Sequence, residues 1–571
     1  MPVTPTYPGV YIEEIPSGVR TITGVATSIT AFIGRAARGP VNDPMIINNF
    51  GDFERLFGGL QIKYPMTYAV KDFYMNGGSQ AIIVRLYKGP DEDEEDGEGN
   101  GEGNGNGNGG NGGGNGGGNG GSNGGNPSAK KALIDANGLS LEAAHEGAWG
   151  NNLQVRVDHD VPDDLPWLDR YEDLSTGDLF NLTVRDSGTG DTETFLNVTV
   201  KKNSQRPVDL VLKNGSSLVR VSGDLPGSIP TAHAALEAGD SPWDDHTPPY
   251  HSSVTTEAAA SEPLTGKEDW TGDPSAETGM YALKKADLFN LLCIPPDVLG
   301  ADTPKEVYQE AMTFCKAERA MLIVDPPAAW GENKTDLISD PQAKLGSDIG
   351  LTGLAARNAV LYFPLVLESD PLREGQIDTF VPCGIVAGIM ARTDTQRGVW
   401  KAPAGVDATL NGVQGLQVKL TDDENGLLNP VAINCLRSFP IYGQVVWGAR
   451  TLRGADQLAD EYKYVPVRRL ALYIEESLFR GLKWVVFEPN DEPLWAQIRL
   501  NVGAFMHNLF RQGAFQGSTP REAYFVKCDS ETTTQNDINL GIVNVVVGFA
   551  PLKPAEFVII KIQQMAGQIE T

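Results

Sequence analysis

Leu288-Phe-Asn-Leu-Leu-Cys-Ile294, Thr303-Pro-Lys-Glu306 and Met321-Leu-Ile-Val324 decide the fold. The first and last are short apolar runs, each closed by prolines: Pro295-Pro296 in one, and Pro326-Pro327 after Asp325 in the other. Runs of this length and composition read as strands buried on both faces. Between them the chain predicts a helix. Thr303 at the N-cap, Pro304 at N1 and Glu306 at N3 have the form of a capping box, and Val307, Ala311, Phe314 and Cys315 fall on one face. Strand, helix and strand at this spacing predict βαβ units and a mostly parallel sheet. Ala359-Val-Leu-Tyr-Phe363, stopped by Pro364, supplies a further strand.

Toward the N-terminus, Thr30-Ala-Phe-Ile-Gly34 and Ala81–Leu86 read as buried strands, with a helix over Tyr64–Met75 ending at Asn76-Gly77-Gly78. Composition then breaks. Asp91–Asp96 is a run of acids, and Gly97–Asn126 is almost pure Gly and Asn. Such a stretch buries too little apolar surface to offset its ordering entropy, so disorder is expected. As a Gly-rich coil of about 30 residues it spans roughly 30 Å. It lacks the aspartate and apolar positions of calcium-binding glycine repeats. Leu133–Ser140, Trp149–Val157, Leu179–Val184, Glu193–Val200 and Leu218–Val221 then read as strands of a β-rich unit, followed by a polar loop from Asp224 to Ser261.

Toward the C-terminus two amphipathic helices stand out. Pro466–Arg480 sets Val467, Leu470, Ile474 and Leu478 on one face, with Gly481 as its C-cap. Pro493–Gln512 does the same with Leu494, Ile498, Val502, Phe505 and Leu509, and Gly513 follows. Lys483–Phe487 between them, Ile542–Phe549 and Phe557–Ile562 read as strands, with Pro551 and Pro554 separating the last two.

The 571 residues predict about two to four domains. The net charge of −28 repels phosphate backbones and argues against nucleic acid as a partner. No run approaches the ~20 apolar residues of a membrane span, and Met1–Val10 has no secretory-signal pattern. Cys293, Cys315, Cys383, Cys435 and Cys528 are odd in number and widely spaced, so reduced thiols are expected.

Catalytic patterns are missing: there is no G-x-S-x-G, phosphate-binding glycine loop or H-E-x-x-H. Asp244-Asp245-His246 with His251 reads as a solvated loop, and Asp325 as a strand terminator. No catalytic, cofactor or metal residue is assigned. The termini say more. Val10-Tyr-Ile-Glu-Glu-Ile15, between Pro8-Gly9 and Pro16, and Phe557-Val-Ile-Ile-Lys-Ile562 are orphan extended segments. Their backbone groups require a sheet, which their own chain or a neighbouring one can supply. The residues alone leave that choice open.

Several segments, in this order, resemble one family. They are Tyr7-Pro-Gly-Val-Tyr-Ile-Glu-Glu14, Thr27–Pro40, Gly147-Ala-Trp-Gly-Asn-Asn-Leu153, Asp287–Pro295, Leu322–Pro327, Gly384–Gly405, Asn429-Pro430, Trp447-Gly-Ala-Arg-Thr451 and Ala550–Phe557. The set is similar to contractile tail sheath proteins of phages and injection particles. The Gly-Asn tract and residues 224–261 depart from it.

The segment patterns and the resemblance together imply an α/β and α+β multidomain chain. Its parts would be an N-terminal arm (1–24), a central α/β domain (25–90 with 281–380), the disordered insertion (91–130), an outer β-rich domain (131–280), a C-terminal assembly domain (381–550) and a C-terminal arm (551–571). The resemblance implies a non-enzymatic subunit without cofactor, stacked as six-subunit rings around an inner tube. The rings would contract from a metastable state to drive the tube through an envelope. Strand exchange would use Val10, Tyr11, Ile12, Glu13, Ile15, Phe557, Val558, Ile559, Ile560, Lys561 and Ile562. Arg468, Arg469, Arg480, Arg499 and Arg511 are candidate tube contacts, or else an intra-domain face. Expected partners are further copies, the inner tube, baseplate and terminator proteins, without membrane insertion. Assembly in a cytoplasm, and release with the particle, would follow. The rival expectations are another homopolymeric tail or surface protein, and a hydrolase.

Overall fold

The computed structural model describes residues 20–90, 129–168 and 174–562. The chain opens with β1 (Thr30–Arg35), β2 (Met45–Ile47) and β3 (Ala81–Leu86). β1 and β3 pair in parallel through a crossover containing helix α1 (Met66–Met75), and β2 closes the edge antiparallel. Both parallel strands are buried along their full length, in keeping with the apolar runs Ala31–Ile33 and Ala81–Val84 within them.

The chain then leaves the sheet and builds a separate layer from β4 (Leu133–Asp135), β5 (Ser140–Ala143), β6 (Leu153–Asp158), β7 (Phe180–Asp186), β8 (Thr192–Val198), β9 (Val219–Val221) and β10 (Ser252–Thr256). They form an antiparallel sheet in the order β8-β7-β6-β10-β4-β5-β9. Its core holds Leu141, Val155, Val157, Phe180, Leu182 and Val184. β10 corrects the reading of residues 224–261 as loop. Ser252-Ser-Val-Thr-Thr256 has one large apolar residue, so it carries no hydrophobic alternation. Backbone ladders on both sides hold it in the middle of the sheet.

The chain enters and leaves the insertion side by side next to the first sheet, and Arg38, after β1, also reaches Asp191 of the insertion at 3.0 Å. The Lys88 amide donates to Ser261 Oγ at 3.1 Å, and the Glu262 amide to the Lys88 carbonyl at 2.9 Å. Arg85, fully buried on β3, donates to the carbonyls of Ala36, Gly39 and Glu146, at 3.0, 2.7 and 2.9 Å.

β11 (Leu291–Cys293), β12 (Met321–Val324) and β13 (Ala359–Phe363) then extend the parallel sheet on the far side of β1. Helix α2 (Lys305–Ala317) crosses from β11 to β12 and buries Val307, Ala311, Phe314 and Cys315. The expected capping box does not form. The Thr303 hydroxyl donates to the Ile294 carbonyl at 2.8 Å, tying the strand exit instead of the helix start, and no side chain caps α2.

β14 (Val366–Asp370), β15 (Gln376–Phe380) and β16 (Val413–Leu416) make a small antiparallel sheet, and α3 (Cys383–Arg397) packs against α1. β17 (Asn434–Phe439) and β18 (Gly443–Val446) complete the large sheet beyond β13. Its order is β18-β17-β13-β12-β11-β1-β3-β2. The central sheet therefore draws strands from residues 30–86, 291–363 and 434–446.

Last come α4 (Val465–Gly481), α5 (Glu492–Arg511) and a two-stranded sheet of β19 (Tyr524–Lys527) and β20 (Val546–Phe549). Gly481 ends α4 but is not its cap; Leu482 is. A Cβ on Gly481 would stand 2.6 Å from Ile22 Cγ2. Lys483–Phe487 is not the expected strand. Lys483–Val485 is a 3₁₀ turn, and Phe487 is fully exposed at φ +70°. A run of β-branched and aromatic residues therefore serves as a short connection between two helices.

Candidate assembly surface at the C-terminal arm

After β20 the chain is pinned once more, by the Ala550 amide on the Ala523 carbonyl at 2.8 Å and the Gln516 amide on the Ala550 carbonyl at 2.9 Å. From Pro551, bridged to Phe515, it then runs without regular structure through Pro554 to Glu556. Both carboxylate oxygens of Glu556 meet Arg450, at 2.8 Å from Nε and 2.7 Å from Nη2, and Oε2 also accepts from the Tyr464 hydroxyl at 3.1 Å. Burial opposes the Glu556 charge. The hydrogen bond and charge of Arg450 outweigh it and hold the carboxyl below its usual range.

Beyond Glu556 the expected strand has no partner among the described residues. Phe557, Val558, Ile559, Ile560 and Ile562 are 73–92% exposed. Apolar side chains of this size gain about 1.5–3 kcal/mol each on full burial. Beside the arm root lies a cleft of about 950 Å³, lined by Trp400, Pro430, Trp447, Leu552 and Phe557 among others. The β19–β20 sheet stands apart from the larger sheets, with Phe525 and Val546 exposed. Val10–Ile15, the other expected arm, lies outside the described residues. The chain just after it is seated on α4 and α5. The Arg20 amide donates to Asn501 Oδ1 at 3.1 Å, the Val25 amide to Ser477 Oγ at 3.3 Å, and Ile22 is buried with Leu470, Ile474 and Ile498.

The five arginines singled out from the sequence separate. Arg469 is buried against Asp394, at 2.8 and 2.6 Å, and also donates to the Thr27 carbonyl. Burial pushes the Asp394 carboxyl above its usual range, although Arg469 opposes this. Arg468 holds Asn358 Oδ1 and Glu475. Arg480 bridges Glu476 and Asp287, and Arg499 meets Glu492 at 2.6 Å and the Cys528 carbonyl. Arg511 is exposed at the last residue of α5.

The crevice between the ends of β1 and β11, where strand order reverses and open α/β sheets take ligands, is filled from within. Arg35 grips both oxygens of Asp297 at 2.6 Å and donates to the Ser261 carbonyl at 2.9 Å. Asp325 is buried, and its Oδ1 accepts from the Cys383 amide at 3.0 Å, at the first residue of α3. Burial pushes its carboxyl up to about 7. His246 stacks on Tyr250 with ring centroids 4.2 Å apart, whereas His251 contacts Gln154. All five cysteines are free and buried. No described helix is long and apolar enough to cross a membrane. The Arg450–Glu556 pair was not foreseen, since the two lie 106 residues apart in sequence.

Residues 459–565, the stretch that holds α4, α5, the β19–β20 sheet and Glu556, match the family model of the phage tail sheath C-terminal domain. A tail sheath protein of Vibrio phage KVP40 is 30% identical over 127 residues, which are 22% of this chain but only 18% of that protein's length. The helical sheath of the anti-feeding prophage, in its contracted state, superimposes with a TM-score of 0.53 at 20% identity, over 98% of this chain and 100% of the other. The sheath tail protein of Listeria innocua does so with a TM-score of 0.56 at 13% identity, over 93% and 96%. Residues 459–565 thus match a sheath C-terminal domain, and the mixed α/β fold is similar to that of the solved sheath proteins along nearly the whole length of the chain.

Proposed function

We propose that this chain is the structural subunit of a contractile sheath, stacked as six-subunit rings around an inner tube and linked by exchanged terminal strands. The observation that carries this reading is the exposed apolar arm Phe557–Ile562, rooted at Glu556 on a body with the sheath fold. A strand without a partner in its own chain gains backbone hydrogen bonds and apolar burial by adding to a sheet in another copy. A head-to-tail contact of this kind that does not close makes an open helical polymer. Val10–Ile15 is the second donated arm. Its connector, seated on α4 and α5, roots it on the same body as the first.

The energy for movement lies in the assembly. An extended lattice held short of its lowest free energy contracts when released, because the contracted lattice buries more surface between copies. No nucleotide chemistry is called for. The partners are further copies, the inner tube, a baseplate that starts assembly and a terminator that caps it. Among the five arginines Arg511, exposed at the end of α5, is the first choice for a tube contact. The particle assembles in a cytoplasm and acts after release.

Negative-stain microscopy of the expressed chain tests the reading. Hollow cylinders with helical ridges are expected, and a chain that stays monomeric at every concentration would sink it.

A further inference from the structure

Arg450 is fully buried, and its main chain is held as firmly as its guanidinium. Its amide donates to Asn434 Oδ1 at 2.7 Å, and its carbonyl accepts from Asn434 Nδ2 at 2.8 Å. The same Nδ2 donates to the Leu361 carbonyl of β13 at 3.0 Å. The guanidinium Nη1 reaches the Asn429 carbonyl at 2.9 Å and Asp456 Oδ1 at 3.0 Å, which leaves Nε and Nη2 for Glu556. A continuous polar path therefore runs from the middle of the central sheet to the residue just before the exposed arm. Among the described residues from Leu552 to Ile562, only the Glu556 side chain is hydrogen-bonded to the body.

The arm itself specifies register poorly. In an extended Phe557-Val-Ile-Ile-Lys-Ile562, one face carries Phe557, Ile559 and Lys561 and the other Val558, Ile560 and Ile562. Both faces are largely apolar, so a slip of one residue still presents an apolar face. Setting register is the best-attested use of buried polar groups. We propose that the Arg450–Glu556 pair is the register anchor of the C-terminal arm: it fixes the residue at which the donated strand begins, and passes load on that strand into the central sheet. Glu556 is a positioning residue. It stays on its own body while the residues after it pivot with the receiving copy. This inference rests on the arm-donation reading above.

The test compares full-length wild type, Glu556→Gln, Glu556→Asp and a chain lacking 557–571. Each is measured for melting temperature as monomer, for the threshold concentration of polymerisation, and for helical order of the cylinders. Glu556→Gln keeps a neutral acceptor for Arg450, whose charge Asp456 still meets, so it is expected to melt within a few degrees of wild type, yet to raise the threshold about tenfold, because the root of the arm is no longer held in place before it binds. Its cylinders should be disordered, and Glu556→Asp should restore most of both properties. If the deletion still polymerises, arm donation itself is wrong. If the deletion does not polymerise but Glu556→Gln matches wild type in threshold and order, the anchor alone is overturned. A melting temperature that falls in step with polymerisation, without rescue by Asp, would make Glu556 merely structural and also overturn it.

Discussion

Gly388 of α3 lies against the main-chain oxygen of Phe73 in α1; a Cβ there would stand 2.5 Å from that oxygen. Gly384, one turn earlier, would bring a Cβ within 2.0 Å of the Ala69 oxygen. The two helices touch backbone to backbone at these positions. Gly388→Ala should therefore destabilise the monomer by about 1–3 kcal/mol through overpacking. Gly503→Ala is the control. It sits inside α5 with open space where a Cβ would go, and should stabilise by about 0.5–1 kcal/mol. Urea titration of both variants decides the matter.

Arg469→Ala should be among the most damaging single changes in α4. It strands Asp394, which is buried with it and whose one other side-chain donor among the described residues is the Thr27 hydroxyl, at 2.7 Å. Removing one partner of such a pair costs about 3–5 kcal/mol. Denaturant midpoints of Arg469→Ala and the double variant Arg469→Met/Asp394→Leu should separate, with the double variant the more stable of the two.

Asp325 gives a pH dependence. Its folded carboxyl titrates at about 7, above its unfolded value near 4. The folded state therefore holds the proton more tightly. Stability is greatest below the unfolded value and falls as pH rises from about 4 to 7. Asp325→Asn keeps the acceptor for the Cys383 amide but cannot ionise. It should gain on wild type across that window, with an upper bound of about 4 kcal/mol, and stay level above it. A stability difference that does not change between pH 5 and pH 8 would count against this account.

Glu556 titrates the other way. Its folded carboxyl is held below the unfolded value near 4.3, so the bond to Arg450 is fully present above that value and fades as pH falls through the lower folded one. The mobility of a spin label placed on the arm at residue 558 should be unchanged from pH 8 to 5, and should rise only in more acid solution. In Glu556→Gln it should be high throughout.

Deleting 557–571 should leave the melting temperature of the monomer within about a degree of wild type. The described residues removed, 557–562, bury little, and surface changes of this kind stay within about 0.5 kcal/mol. Solubility should rise, since an exposed apolar strand invites association.

Legibility followed the physics of each segment. β1, β3, β11, β12 and β13 are buried on both faces, and the short apolar run that each contains is the signature of that burial. β10 is held by backbone ladders and side-chain hydrogen bonds and has one large apolar residue, Val254, so its Ser and Thr residues look like loop. Lys483–Phe487 has strand composition but no neighbour to pair with. α3 is apolar on all sides near its start, because it lies between α1 and the sheet, so no stripe marks it as a helix. The arm was visible as an orphan run. The residue that roots it was not, because pairing across 106 positions leaves no local trace.

The pairing of Lys88 with Ser261 and Glu262 sets the entry and exit of the inserted layer side by side. A module that enters and leaves at adjacent points of the chain can change in size and surface while the strands of the large sheet keep their register, as long as it retains the seats of Arg38 on Asp191 and of Arg85 on the Glu146 carbonyl.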